Sequence, residues 1–167
     1  MSYKILFLAV IFLSVKTFAA CDDLPSKEVD YTGCSFAENQ DWGGASLVGA
    51  QMQDVNLPFT NFEKSQISKA IMTDGNFVFS NFNSTILTSS NLQYANFSHT
   101  TFENANLAKA NLEGANLFMS SFKGANLYEV NLIGAHITGA VFEEANLSGV
   151  IWIDGKKCAP GSVGTCN

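Results

Sequence analysis

Residues Ala105–Leu117 read ANLAKANLEGANL, in which a small residue, Asn, Leu and two undemanding positions return every five residues. An α-helix repeats every 3.6 residues and a strand every two, so neither element alone yields a period of five. The period belongs to a repeat architecture, and the rest of the chain can be read in its frame.

Taking Leu107 as a centre and stepping by five gives a large apolar residue at every stop from Trp42 to Trp152, about 23 units in all. Upstream, Tyr31 and Phe36 keep the step, whereas Phe36 to Trp42 is one residue longer, which predicts a residue bulged out near Asn39. Two residues before each centre sits a small residue, as at Ala45, Ala50, Ser65, Ala70 and Ala145. Asn precedes the centre in about half the units, as at Asn56, Asn61, Asn76, Asn106 and Asn111.

A second period is visible in the centres themselves. Every fourth one is aromatic along Trp42, Phe62, Phe82, Phe102, Phe122 and Phe142, and aliphatic along Leu47, Ile67, Leu87, Leu107, Leu127 and Leu147. A third row runs Met52, Met72, Leu92, Leu112, Leu132 and Trp152, and a fourth Leu57, Phe77, Phe97, Leu117 and Ile137. Like residues at a spacing of twenty mean that the chain returns to the same place after four units. Each unit is then one side of a square coil, with coils about 4.8 Å apart and about six of them making a rod roughly 30 Å long. Centres and small residues point inward. Each buried Leu or Phe contributes about 1.5–3 kcal/mol, which must offset the cost of ordering the backbone.

From Tyr31 to Asp154 the pattern resembles the A-(D/N)-L-x-x motif of pentapeptide-repeat proteins. That resemblance implies an all-β fold, a right-handed quadrilateral β-helix. The chain divides into a segment 1–20, an N-terminal cap segment 21–30, the β-helix 31–154 and a C-terminal cap loop 155–167. The tail Trp152–Cys166 resembles the terminal cap of some exported members of the family.

Segment 1–20 has Lys4, an apolar run from Ile5 to Val15 and small residues at Ala19 and Ala20. The run is too short to span a bilayer and suits a secretory signal peptide, which predicts export to the periplasm or the medium of a bacterium, with no membrane span after cleavage. A retained N-terminal anchor is the alternative. Phe18–Cys21 also approaches a lipobox, in which Cys21 would be acylated. The four cysteines, Cys21, Cys34, Cys158 and Cys166, lie two at each end and none in the rod. An even set in an exported chain predicts disulfides, and proximity favours Cys21–Cys34 and Cys158–Cys166. Such staples would cover the open coils at the rod ends, whose unpaired backbone groups can otherwise template association.

Nine lysines and no arginines face fifteen acidic residues, a formal net charge of −6. Nucleic-acid binding therefore lacks its electrostatic contribution. The two positions after each centre are expected to face solvent. On the first side they gather Glu63, Glu103, Glu143 and Glu144 with Lys64 and Lys123. On the fourth side they are apolar: Phe59, Phe79, His99 and Met119 recur one coil apart, with Phe118 beside Met119. Either these side chains cover one another or pack under segment 21–30, or they form a face for a protein partner or for self-association.

Neither His99 nor His136 sits beside a nucleophile and an acid, and no Gly-rich phosphate loop occurs, so the chain reads as non-catalytic and needs no cofactor or metal. The Asn-x-Ser/Thr triplets at Asn83, Asn96 and Asn146 are ascribed to the repeat itself. The leading reading is a non-enzymatic exported rod acting as an interaction or structural module. Two alternatives remain open. One is a topoisomerase-directed DNA mimic, which the resemblance to gyrase-protecting family members implies if segment 1–20 is not a signal. The other is an envelope protein anchored by lipid at Cys21.

Overall fold

The computed structural model describes residues 21–167, so the signal-peptide reading of 1–20 lies outside the described residues. From Asp41 to Asn131 each residue preceding a centre forms a parallel bridge with the residue twenty positions later, as Asn106 does with Asn126 and Asn126 with Asn146. The chain is therefore a right-handed quadrilateral β-helix, each side one pentapeptide long. We number the sides by their inner rows, the first carrying Phe62 and the second, third and fourth Ile67, Met72 and Phe77.

One unit shows why five residues suffice. Asn126 donates its backbone N–H to Ala105 in the coil below at 2.9 Å, and the N–H of Leu127 reaches Asn146 in the coil above at 2.9 Å. The chain then turns, with Val130 N–H closing on the Leu127 carbonyl at 3.0 Å and Glu129 in the left-handed region at φ 56°. Positive φ at the third residue marks a type II-like turn. A non-glycine residue there costs on the order of 1–2 kcal/mol. The turn recovers part of this through the Glu129 N–H, which donates to Ser148 of the next coil at 3.1 Å.

The same geometry explains the recurring Asn. The Oδ1 of Asn126 accepts the Tyr128 N–H at 3.2 Å, pinning the start of the turn, while its Nδ2 donates to Asn106 one coil below at 3.1 Å. Asn146 repeats the contact upon Asn126 at 3.1 Å, so the amides form a ladder parallel to the rod axis. Asn is suited to this because one amide carries both the acceptor for the turn and the donor for the ladder. Asn96 and Asn146 occupy this bridging column. Asn83 does not: it lies in the turn, where its Oδ1 accepts the Glu103 N–H at 2.8 Å, so the repeat does not account for that triplet.

Inside, the first-row rings stack along the axis, with centroids 4.5 Å apart for Phe62–Phe82, 5.1 Å for Phe82–Phe102, 4.8 Å for Phe102–Phe122 and 5.2 Å for Phe122–Phe142. Trp42 starts this row edge-on to Phe62 at 5.5 Å. Phe77 and Phe97 of the fourth row stack beside them and meet their edges, Phe97 lying 5.3 Å from Phe102. Where Ser or Thr fills the small inner position its hydroxyl is buried but satisfied by the main chain: Thr85 donates to Phe62 at 2.8 Å and Ser90 to Ile67 at 2.6 Å.

At the N-terminal end the bridges Asp30–Gln51 and Ser35–Asn56 span one residue more than those above. Asn39, at φ 61°, lies in the longer step between Phe36 and Trp42, in keeping with the expected bulge. Buried Tyr31 fills the end of the core against Trp42 at 5.3 Å and donates its hydroxyl to the Asp23 carbonyl. At the other end the chain doubles back as a hairpin, pairing Lys157 antiparallel with Ile151 and Val163 with Asn146. Cys21 is bonded to Cys34 and Cys158 to Cys166. Among the described residues no helix is long and apolar enough to cross a membrane.

Candidate functional site

The left-handed residue two past each centre is the outermost of its unit, so successive coils line these residues up in columns. On the fourth side the column is Phe59, Phe79, His99 and Met119, with Gly139 at the top. Phe59 and Phe79 stack at 5.1 Å with planes 5° apart, and Phe79 and His99 at 4.7 Å and 9°. The ladder then changes column. Phe118, one position earlier in its turn, meets His99 edge-on at 5.4 Å and stacks on His136 at 5.7 Å. Met119 leans over Gly139, where an added Cβ would fall 2.7 Å from the Met119 sulfur, so a side chain there would push Met119 aside.

This outer ladder is wet. Phe59 is 41 % exposed, Phe79 52 % and Met119 53 %, so segment 21–30 does not cover them. Their ring faces are used against one another, which turns the hydrogen-bearing, electropositive ring edges outward. No turn position on this side bears a formally charged residue, from Pro58 and Phe59 through Val78, Ser98 and Thr138 to Gly139. Such a surface suits apolar groups, ring faces and carbonyl oxygens. Phe118 and His136 were not linked in the sequence frame because they occupy different positions of the repeat. The ring-to-ring path between them crosses from a turn column to a wall column.

The acidic first side is different in kind. Glu63 pairs with Lys64 at 2.7 Å and Glu143 with Lys123 at 3.1 Å. Hydrogen bonds to those carboxylates hold both ammonium groups above the usual lysine range. His136 is a wall residue: it bridges to Asn116 and its Nε2 lies 3.1 Å from the Thr138 hydroxyl. Among the described residues no cluster of three His, Cys, Asp or Glu could hold a metal ion. An open cleft of about 480 Å³ lies where Pro160 and Lys157 overhang Tyr128 and Glu129 on the second side, without a nucleophile–base pair.

The family profile described as Pentapeptide repeats matches in 8 copies over residues 43–74, 66–104, 85–124 and 125–151. The chain is a pentapeptide-repeat protein. No curated protein matches it in sequence. Among solved structures it is similar to a trypsin-treated form of QnrB1, a plasmid-mediated fluoroquinolone resistance protein, at 20 % identity and TM-score 0.57, covering 75 % of this chain and 73 % of that one. It is also similar to the pentapeptide-repeat protein Rfr23 from the cyanobacterium Cyanothece 51142, at 28 % identity and TM-score 0.44, covering 74 % and 90 %. A third is HetL, involved in heterocyst differentiation regulation in Nostoc sp. strain PCC 7120, at 22 % identity and TM-score 0.39, covering 80 % and 73 %. The likeness to QnrB1 speaks to the fold of this pentapeptide-repeat protein.

Proposed function

We propose that this pentapeptide-repeat protein is an exported, non-enzymatic rod that engages a protein partner through the aromatic ladder of its fourth side. The observation that carries the reading is the ladder itself: Phe59, Phe79 and His99 form a solvent-exposed, charge-free stack that half-buried Phe118 extends edge-on. Contiguous exposed apolar patches mark contact sites more often than not. Disulfides at both ends support an oxidising compartment, and the bond from Cys21 to Cys34 supports cleavage without acylation. The ion-paired first side argues against a mimic of the DNA backbone, which would need its carboxylates bare.

Cross-linking in cells followed by recovery of the wild-type protein and of a Phe59→Ser plus Phe79→Ser variant tests the assignment. The expected result is a partner recovered with the wild type and lost with the variant. Equal recovery from both would remove the fourth side from consideration. Intact mass of the recovered chain reads the compartment at the same time: a cleaved chain with two disulfides is expected, and an uncleaved, reduced or acylated one would overturn the export reading.

A further inference from the structure

The C-terminal end of the rod is half covered. Over the second and third sides the hairpin supplies the missing next coil: Leu147 N–H donates to Ser162, Gly164 N–H to Ala145, Trp152 N–H to Lys156 and Cys158 N–H to Val150. Over the fourth and first sides no described residue does. Among the described residues the N–H groups of Ile137 and Phe142 and the carbonyls of Ala135 and Ala140 have no backbone partner, although their counterparts in every lower coil are paired. Val141 stands 46 % exposed on this open edge.

The hairpin is itself an unfinished strand. Its antiparallel bonds run through the flanking residues, so the N–H and C=O of Lys157 and of Val163 find no partner in their own rod. Val163 is 58 % exposed. The open edge thus lacks a layer, and the hairpin is half a layer with a free outer edge.

We propose that two copies of this chain pair C-terminal end to C-terminal end about a two-fold axis, each hairpin filling the open half of the other's last coil. An axis through the corner between the first and second sides exchanges those two sides, and likewise the third and fourth. Val163 of one copy then lies over the first side of its partner, and Lys157 over the fourth. The hairpin runs antiparallel to its own coil, and the two-fold reverses the partner's coil, so hairpin and partner strand run parallel. Parallel pairing needs one residue to donate to the position before the bridge and to accept from the one after it, as every lower coil does. Val163 would donate to the partner's Ala140 and accept from the partner's Phe142, and Lys157 would do the same with the partner's Ala135 and Ile137. The two exposed valines would stack, and the two hairpins would together make one complete coil.

Charge permits this pairing. At the C-terminal end Lys156 pairs with Asp154 at 2.8 Å and Lys123 with Glu143 at 3.1 Å, so two copies can approach without net repulsion.

Sedimentation equilibrium of the disulfide-intact protein tests the pairing. Val163→Pro removes an N–H that its own rod does not use, and Val141→Glu puts a charge in the valine stack. The wild type is expected at twice the monomer mass. Both variants are expected as monomers, with the circular dichroism and melting of the wild-type monomer at low concentration, while Phe79→Ser stays dimeric. A wild type that remains monomeric at all concentrations, or a dimer that survives both end variants, overturns the proposal. So does a dimer lost in Phe79→Ser alone, which would place self-association on the outer ladder instead.

Discussion

Two aromatic ladders run along this rod, one inside and one outside, and their sequence period is the same. The inner one, Phe62 through Phe142, has its faces stacked and, around Phe82 and Phe102, its edges met by Phe77 and Phe97; Phe62 through Phe122 expose nothing. The outer one, Phe59 through His99, has its faces stacked and its edges in water. Ring stacking alone is worth about 0.5–1.5 kcal/mol per pair. The remainder of a buried ring's contribution comes from removal of its whole surface from water and from the close packing around it. The inner ladder should therefore hold the fold, and the outer one should be dispensable to it.

Phe102→Ala, at mid-rod, is expected to lose about 3–5 kcal/mol in denaturant unfolding, since it empties a site that rigid coils above and below cannot collapse into. Phe79→Ala, on the outer face of the fourth side, should lose about 1 kcal/mol or less. Comparable losses for the two would mean that the outer ladder is a structural brace and not a contact face.

The N-terminal plug provides a pH-dependent version of the contrast. Burial, and next the Asp23 carboxylate, push the Tyr31 phenol up to about 12. Below pH 10 the phenol is neutral in both folded and unfolded chains, and its contribution is fully present. Between pH 10 and about 12 the unfolded chain ionises first, so stability falls and the contribution is lost above the folded value. Lysines titrate in the same window, so the readout is the difference between wild type and Tyr31→Phe, which should show a shallower decline. Identical slopes would place the Tyr31 ring in water.

Asn126→Ala should cost about 1 kcal/mol, because the amide's bonds to Asn106 and to the Tyr128 N–H lie at a half-exposed wall that water can reach. A much larger loss would show that the amide ladder acts cooperatively along the rod.

Much of this was legible from residue order. The centres, the small inner positions, the lap of twenty and the longer step at Asn39 are all periodic features, and a solenoid writes its geometry into the chain because each unit meets only its neighbours. The division of roles within one unit was less visible. Thr85 and Ser90 look like mere small residues until their hydroxyls are seen to close on carbonyls a coil away. Likewise His99, Phe118 and His136 fall at three different repeat positions and become one surface only when turn and wall columns are set side by side.

Sequence alone determined that the chain is a four-sided coil and which residues fill it, because an apolar centre every fifth residue can be buried only if the backbone turns a corner in every unit. Tertiary structure alone decided what the rod presents at its surface and its ends. Whether a ring outside the coil is covered, and which backbone groups of the last lap lack a partner, depend on contacts between residues that no local period relates. The hairpin from Lys157 to Val163 covers two sides and leaves two bare because the chain turns back over the last coil.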